Sequence, residues 1–174
     1  MPKRSFDLRH AGGAIALALC LALSGTAMAK QKEPARPPAR QQILDLISLY
    51  SYTFDGKDLE AFVPLFTEDV HWAWYGPDDV LLIDLHSPEE LREFFGNTIQ
   101  SHIEAGRQTR HYQTNTVFTE LSGRHAATRT LVLIVWQTEG QPLPVATRSG
   151  YYDDTFVKTP DGWKFQERVL HTDQ

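Results

Sequence analysis

The sequence has a single cysteine, Cys20, inside an apolar stretch near the N-terminus. Without Cys20, the rest of the chain can form no disulfide, no thiol nucleophile and no thiolate metal site. The histidine spacings typical of metal sites (His-x-His, His-x3-His and HExxH) are also absent. Phosphate-binding loops, dinucleotide fingerprints and the Gly-x-Ser-x-Gly nucleophile elbow are absent as well. We therefore expect no metal and no cofactor.

Excess positive charge and long apolar runs are lacking too. The formal net charge is −5, which argues against a nucleic-acid surface. The apolar stretch over residues 11–23 is too short for a convincing membrane span. It follows a basic start and precedes Ala27-Met28-Ala29, the small-x-small pattern of a secretory cleavage site. We predict a signal peptide over residues 1–29, a periplasmic or secreted mature protein, and no membrane partner after cleavage.

The remainder is expected to form one domain behind a short spacer. Residues 30–40 are rich in proline and predict an extended or disordered segment. Residues 41–174 have the size of a single domain. A helical apolar period runs from residue 43 to 54 and stops at Gly56, a residue typical of the position just after a helix. Two further helix starts are indicated by Asp58 and by Ser87-Pro88-Glu89-Glu90.

Strand patterns dominate the chain after residue 106. An aromatic strand is predicted earlier, at 70–75, with another at 80–86. Four more strands with turn residues between them are predicted at 110–121, 126–138, 145–158 and 163–171. Helices first and a strand meander last predict an α+β fold, with helices against one face of the sheet.

Residues 131–136 are apolar at every position. A strand of this kind is expected to be covered on both faces. One cover would be the helices of the domain, and the other a second subunit. We therefore expect a homo-oligomer, a dimer or a trimer.

The strand at 110–117 carries an unusual polar face. Alternation places His111, Gln113 and Asn115 on the same side. Histidine is the side chain whose ordinary pKa allows proton transfer near neutral pH. Such a face is either simply solvated or part of a site, and a partner carboxylate elsewhere would favour the site.

Several short motifs fall in one order along the chain: Tyr50-x4-Asp55, a strand with Trp72, His111-Tyr112-Gln113-Thr114-Asn115, Gly150-x-Tyr152-x-Asp154 and Asp161-Gly162-Trp163. This order resembles the SnoaL-like branch of the NTF2-like superfamily over about residues 40–170. It also looks like that of hexachlorocyclohexane dehydrochlorinase, bile-acid 7α-dehydratase and scytalone dehydratase. The superfamily hosts many reactions, so the resemblance indicates the fold more specifically than the activity.

The resemblance implies a cone-shaped α+β barrel, in which a bent, mostly antiparallel sheet wraps N-terminal helices around a deep apolar pocket. In the eliminating enzymes, a histidine at the position of His111 abstracts a proton from carbon. An aspartate at the position of Asp55 holds its imidazole. The dehydratases carry a further acid or histidine on the next strand, but here residues 130–136 have no titratable side chain. The base and its partner therefore transfer, and the acid that assists the leaving group does not.

Other candidates have both a functional and a structural interpretation. Tyr50 is either a core residue or a donor into the pocket, and Asn115 either polarises the substrate or bonds a neighbouring strand. Trp72, Trp74 and Trp136 are assigned to the pocket wall or to the core. Tyr152 is a candidate substrate contact, and together with Asp154 it also fits a structural hydrogen-bond network for which Arg129 is a candidate partner.

Two functions of different classes follow. The first is an exported, cofactor-free lyase or isomerase that removes a proton from carbon of a small apolar, polycyclic or terpenoid-like substrate with an Asp55–His111 dyad. The alternative is a non-catalytic periplasmic module that binds a small molecule. The intact pair favours the first, and the missing acid on strand 130–136 favours the second.

Overall fold

The computed structural model describes residues 37–173, which form three α-helices and six β-strands. The predicted signal peptide and most of the predicted spacer lie outside the described residues. No helix within residues 37–173 is both long and apolar enough to cross a membrane. The elements, in chain order, are α1 (Ala39–Asp55), α2 (Leu59–Phe62), β1 (Phe66–Tyr75), β2 (Leu81–Leu85), α3 (Pro88–Glu104), β3 (Arg107–Leu121), β4 (His125–Thr138), β5 (Val145–Thr159) and β6 (Gly162–Thr172).

The six strands form one sheet in the order β2-β1-β6-β5-β4-β3. The last four strands are the antiparallel meander that the sequence predicts. β1 joins it alongside β6 in parallel, and β2 pairs with the far side of β1. The predicted α+β class, with N-terminal helices packed on a mostly antiparallel sheet, is confirmed. The sheet is open rather than closed in the described part of the chain, since β2 and β3 remain its edges.

The end of α1 fixes the position of the residue most important for the site, Asp55. The helix stops where the sequence predicts, but Gly56 itself keeps a right-handed conformation, and the left-handed residue is Lys57 with φ of 62°. Glycine is needed at 56 because an added Cβ would lie 2.7 Å from the Tyr52 carbonyl oxygen. The turn at Gly56 and Lys57 therefore ends α1 directly after Asp55.

The start of α3 follows the predicted pattern. Ser87 Oγ accepts a 3.2 Å hydrogen bond from the backbone N–H of Glu90, and the Glu90 carboxylate accepts one of 2.6 Å from the His86 backbone N–H. These bonds satisfy donors that a helix start leaves unpaired. α1 and α3 cover the inner face of the sheet. The core between them is largely aromatic and includes Tyr50, Phe54, Phe62, Phe66, Trp72, Phe95, Tyr152, Phe156, Trp163 and Phe165.

The outer face of β4 is apolar and uncovered within the described chain. Val132 and Ile134 point inward and are buried, whereas Leu131 and Leu133 remain 45% and 40% exposed. Tyr112 of β3 lies beside Leu133 in the pairing register and is also exposed. Large side chains grouped on one sheet face are typical of an interface.

We expect the protein to be a symmetric dimer through this face, because pairing would remove these side chains from water. Light scattering at micromolar concentration should give twice the chain mass. Leu133→Glu should shift the mass toward the monomer. Leu143→Glu changes an exposed leucine in the β4–β5 loop and should leave the mass unchanged. A monomeric parent protein would contradict this assembly.

Candidate active site

Asp55, the last residue of α1, contacts His111 in β3. The Nδ1 atom of His111 lies 2.7 Å from Asp55 Oδ1, and the backbone N–H of His111 donates to Oδ2 at 2.8 Å. The Thr109 hydroxyl donates to Oδ1 at 2.7 Å. A carboxylate only accepts, so the network assigns the proton to Nδ1 and leaves Nε2 as the basic nitrogen of the neutral ring. The pair thus has the tautomer that a general base requires.

The carboxyl of Asp55 is held in its charged form. Burial favours the neutral carboxyl, but the hydrogen bonds from His111 and Thr109, together with the positive charge that His111 carries when it is protonated, outweigh burial and lower the pKa of Asp55 below its ordinary value. An acid at a helix C-terminus is otherwise unfavourable because of the helix dipole. Three donors from β3 supply the compensation. Asp55 is therefore ionised at the position where it contacts His111.

An aromatic cavity of about 210 Å³ lies between the inner face of the sheet and helices α1 and α3. Five of the residues predicted from sequence line it: Tyr50, Trp74, His111, Trp136 and Tyr152. The sequence analysis did not assign the remaining lining residues to the site. These are Phe54, Phe94, Phe95, Thr98, His102, Thr109, Ile134, Arg148 and Leu170. Trp72, for which the sequence predicts a place in the wall or the core, also lines the cavity.

A second, larger groove runs along α1 and β3 and is also lined by His111. Its volume is about 620 Å³, and its lining is more polar, with Ser48, Ser51, Asp55 and Gln113 among the contributors. Asp55 lines this groove and not the cavity, whereas His111 lines both. Nδ1 of His111 faces the Asp55 carboxylate, and Nε2 has no hydrogen-bond partner among the described residues. The rings of Phe54 and Tyr50 pack edge-on against the His111 ring, at 5.2 and 6.3 Å between centroids.

Tyr50 and Tyr152 bring phenol groups to the cavity. Their rings pack 5.8 Å apart, and the guanidinium of Arg168 lies 4.0 and 4.1 Å from the two ring centroids. Burial raises the pKa of Tyr50 and takes the pKa of Tyr152 well above its ordinary value. Both phenols therefore stay protonated at neutral pH and can serve as hydrogen-bond donors.

His102 is a second histidine at the cavity. It is buried on α3, with its ring 5.6 Å from Trp136 and 6.0 Å from Phe54. Burial is the main cause that lowers its pKa, and nearby Arg107 and Lys57 act in the same direction. His102 is therefore neutral near pH 7. The sequence does not indicate His102 as a site residue, because a lone histidine on a helix is usually an ordinary core or surface residue.

Arg148 brings a cation to the cavity. Its guanidinium carbon lies 4.6 Å from the centroid of Trp74 and 5.4 Å from that of Trp136. No carboxylate within residues 37–173 forms an ion pair with it, and burial lowers its pKa from the ordinary value. Arg148 also borders a shallower recess outside the cavity, together with Leu82 and Thr147. The sequence does not indicate that Arg148 borders a cavity, because a lone arginine in a predicted strand is usually an ordinary surface residue.

Asn115 lies outside the cavity. It adopts a left-handed φ of 55°, and the β3–β4 register shifts between Thr114 and Val117. The irregularity breaks the alternation that would have continued the face of His111 and Gln113. The Asn115 side chain is exposed and accepts a 3.2 Å hydrogen bond from the Thr114 hydroxyl. The structure therefore does not bring Asn115 together with the other predicted site residues.

The hydrogen-bond network predicted around Asp154 is present, with a different arginine. Asp154 is paired with Arg168 of β6, at 2.7 and 2.8 Å. Arg129 instead pairs with Asp153 at the surface. Arg168 also donates to Gln113, which in turn donates to the Ile47 carbonyl and the Ser51 hydroxyl. Gln113 thus belongs to the structural network beneath the site.

Helices packed on a six-stranded mixed sheet, around an aromatic cavity with an Asp–His pair, define a protein of the NTF2-like class. The sequence profile of the SnoaL-like domain matches residues 36–169, and the chain belongs to this family. The predicted resemblance is thereby confirmed. No curated protein sequence matches the chain significantly.

Solved structures give the same assignment of fold. A protein from Novosphingobium aromaticivorans provisionally named a scytalone dehydratase is 25% identical, with a TM-score of 0.63 over 78% of this chain and 84% of that one. An NTF2-like protein with a cystatin-like fold from the same species is 20% identical, with a TM-score of 0.65 over 78% and 82%. The β subunit of the benzoate 1,2-dioxygenase of Burkholderia mallei is 14% identical, with a TM-score of 0.68 over 79% and 93%. Family and neighbours together support a small-molecule-binding module.

Proposed function

We propose that the protein is an exported, cofactor-free lyase or isomerase that abstracts a proton from carbon of a small apolar substrate. His111 is the general base, and Asp55 orients its ring. The observation that carries this proposal is the 2.7 Å contact between His111 Nδ1 and Asp55, beside an aromatic cavity. The neighbour provisionally named a dehydratase supports elimination chemistry. The predicted signal peptide supports export.

The proposed reaction begins with the transfer of one proton from carbon to His111. Nε2 of His111 takes the proton from a carbon that is made acidic by a neighbouring electron-withdrawing group. The resulting imidazolium is stabilised by the ionised Asp55. In one outcome, the electron pair of the broken C–H bond forms a C=C bond as the leaving group departs with its own bonding pair. In the other, the double bond shifts and the His111 imidazolium returns the proton to another carbon of the delocalised anion. The first outcome is elimination, and the second is isomerisation.

Neutral donors at the cavity compensate for the absence of a titratable group on strand 130–136. The protonated phenols of Tyr50 and Tyr152 are available to hydrogen-bond a carbonyl or a departing oxygen. His102 of α3 is a further neutral donor at the cavity. Such donors are most effective in a site that excludes water. The leaving-group function is therefore assigned to residues of α1, α3 and β5 rather than β4.

The size and charge of the cavity limit the range of substrates that fit the proposal. A volume of about 210 Å³ is below the range of roughly 300–1,000 Å³ common for ligand pockets, so one or two rings fit better than a larger polycycle. Arg148 has no carboxylate partner among the described residues and links the cavity to the outer recess. We infer a substrate with an apolar ring inside and a carboxylate or other electron-rich oxygen group at Arg148.

The alternative is a non-catalytic binding module, favoured by the lack of a titratable side chain on strand 130–136. Incubation in D₂O distinguishes the two functions. A panel of cyclic enones, hydroxylated rings and halogenated rings, each with and without a carboxylate, is followed by NMR and mass spectrometry. We expect deuterium incorporation or elimination for some members, faster for the acids, and abolished in His111→Gln.

The control for this experiment is His125→Gln, which changes an exposed histidine at the start of β4. It should behave as the parent protein does. If compounds raise the melting temperature but neither exchange nor elimination occurs with any of them, the binding module is the correct function.

A further inference from the structure

Three side chains meet on the outer face of the sheet, away from the cavity. His71 lies in β1, Asp84 in β2, and His86 directly after β2. His71 Nε2 is 2.9 Å from Asp84 Oδ1, and His86 Nε2 is 3.1 Å from Asp84 Oδ2. Trp72 and Trp74, which alternate with His71 along β1, line the cavity on the inner face. The cluster is thus separate from the proposed active site.

The pairing register explains why these residues meet. β1 and β2 are antiparallel, with Trp72 opposite Leu85 and Ala73 opposite Asp84. This places His86 beside His71, and the two imidazole rings stack 4.9 Å apart with only 3° between their planes. The three candidate ligand atoms all lie within 4.8 Å of one another. Local spacing motifs in the sequence cannot report a site assembled across two strands.

Glu167 of β6 completes the arrangement. It is the parallel-strand neighbour of His71, and its Oε1 lies 2.8 Å from His71 Nδ1. Histidines that bind metals usually donate their other ring nitrogen to a carboxylate, which fixes the ring and increases its basicity. His71 has this environment, with Nδ1 held by Glu167 and Nε2 directed at Asp84.

We infer that His71, Asp84 and His86 form a binding site for a divalent transition-metal ion of the Zn²⁺ class, with Glu167 orienting His71. Two imidazoles and one carboxylate are the ligand types that Zn²⁺ takes at about 2.0–2.2 Å, with the fourth position open to water. Ligand atoms around such an ion lie about 3.4 Å apart. The His86 side chain is 62% exposed, so its ring has room to turn toward the ion. The ion would tie the edge strand β2 to β1 and, through Glu167, to β6.

Calorimetric titration of Zn²⁺ into the full chain, made without a histidine tag and stripped with a chelator, tests the inference. We expect one ion per chain at about pH 8, where histidine ligands are deprotonated. His86→Ala should weaken binding at least tenfold, and Glu167→Gln by about 10–100-fold. His125→Ala, which alters an exposed histidine of β4, should bind as the parent does.

Thermal unfolding provides a second readout. Zn²⁺ should raise the melting temperature of the parent protein and of His125→Ala, since an ion bound only by the folded state stabilises it. His86→Ala should lose this rise while keeping its melting temperature without metal. Two results would overturn the site: no binding at tens of micromolar Zn²⁺, which leaves only a network of ion pairs, or binding that is equal in His71→Ala, His86→Ala and the parent.

Discussion

Replacing His111 with alanine is expected to lower kcat/KM by a factor of roughly 10²–10⁴, the usual effect of losing a positioned general base. Asp55→Asn should have a comparable effect for a different reason. Oδ2 of Asp55 accepts a hydrogen bond from the His111 backbone N–H. In the asparagine variant, the side-chain oxygen is expected to take the place of Oδ2, because only an oxygen can accept this bond. Its NH₂ then faces Nδ1, which favours the tautomer with a proton on Nε2. The ring remains in place but no longer acts as a base.

The double variant separates a dyad from two independent residues. Groups that act as one unit do not add their losses. Asp55→Asn combined with His111→Ala should therefore be little slower than His111→Ala alone. Multiplicative losses would contradict the dyad, and so would an Asp55→Asn variant with the parental rate. His125→Ala is the control for removal of a histidine, and circular dichroism should show all variants to be folded.

Breaking the buried pair of Asp154 and Arg168 should produce the largest loss of stability. The Arg168 side chain has 0% exposure and donates two hydrogen bonds to Asp154. The rings of Tyr50, Tyr152 and Phe165 pack against its guanidinium. Asp154→Asn leaves this buried cation without a counter-charge, which costs about 3–5 kcal/mol in comparable cases. Denaturant unfolding monitored by tryptophan fluorescence measures the difference.

The neighbouring residue offers a matched control. Asp153 also forms two hydrogen bonds with an arginine, Arg129, but this pair lies at the surface. Asp153→Asn should cost no more than about 1 kcal/mol, because water screens exposed pairs. Asp154→Leu combined with Arg168→Met should lose less stability than Asp154→Asn alone, since it removes both charges. Equal losses for Asp153→Asn and Asp154→Asn would show that burial does not control the effect.

The pair also connects stability to the site. Arg168 lies beneath Tyr50 and Tyr152, and it donates to Gln113, two residues beyond His111 in β3. Gln113 then bonds α1 at the Ile47 carbonyl and the Ser51 hydroxyl. One buried cation thereby holds together β6, β5, β3 and α1, the elements that supply the phenols and the Asp55–His111 pair.

The sequence by itself determined the secondary structure, because its signals are local. The serine, proline and glutamate at residues 87–90 satisfy or tolerate the unpaired donors of a helix start, whatever lies elsewhere in the fold. Alternation and turn residues after residue 106 predicted four strands, and all four are present. The apolar run at 131–136 predicted a strand covered on both faces, and the structure buries Val132 and Ile134 but leaves Leu131 and Leu133 exposed.

Other parts of the site depended on the tertiary structure. The Asp55–His111 contact joins residues 56 positions apart, and the expectation rested on family resemblance rather than on spacing. The bulge that removes Asn115 from the site is a property of β3–β4 pairing. His102 and Arg148 meet at the cavity only because α3 and β5 border the same space. None of these residues has a local pattern that distinguishes it from an ordinary polar residue.

The parallel pairing of β1 with β6 is the clearest case of a decision made by the whole fold. It places Glu167 beside His71, which lies almost a hundred residues earlier in the chain. The other side of β1 pairs with β2, which supplies Asp84 and is followed directly by His86. Local propensity predicts that a segment is a strand, but the choice of neighbour depends on which apolar faces can be buried together. The strand order that buries these apolar faces also determines which polar groups meet. The Asp55–His111 pair forms beside the inner face of the sheet, and the His71 cluster forms on the outer face.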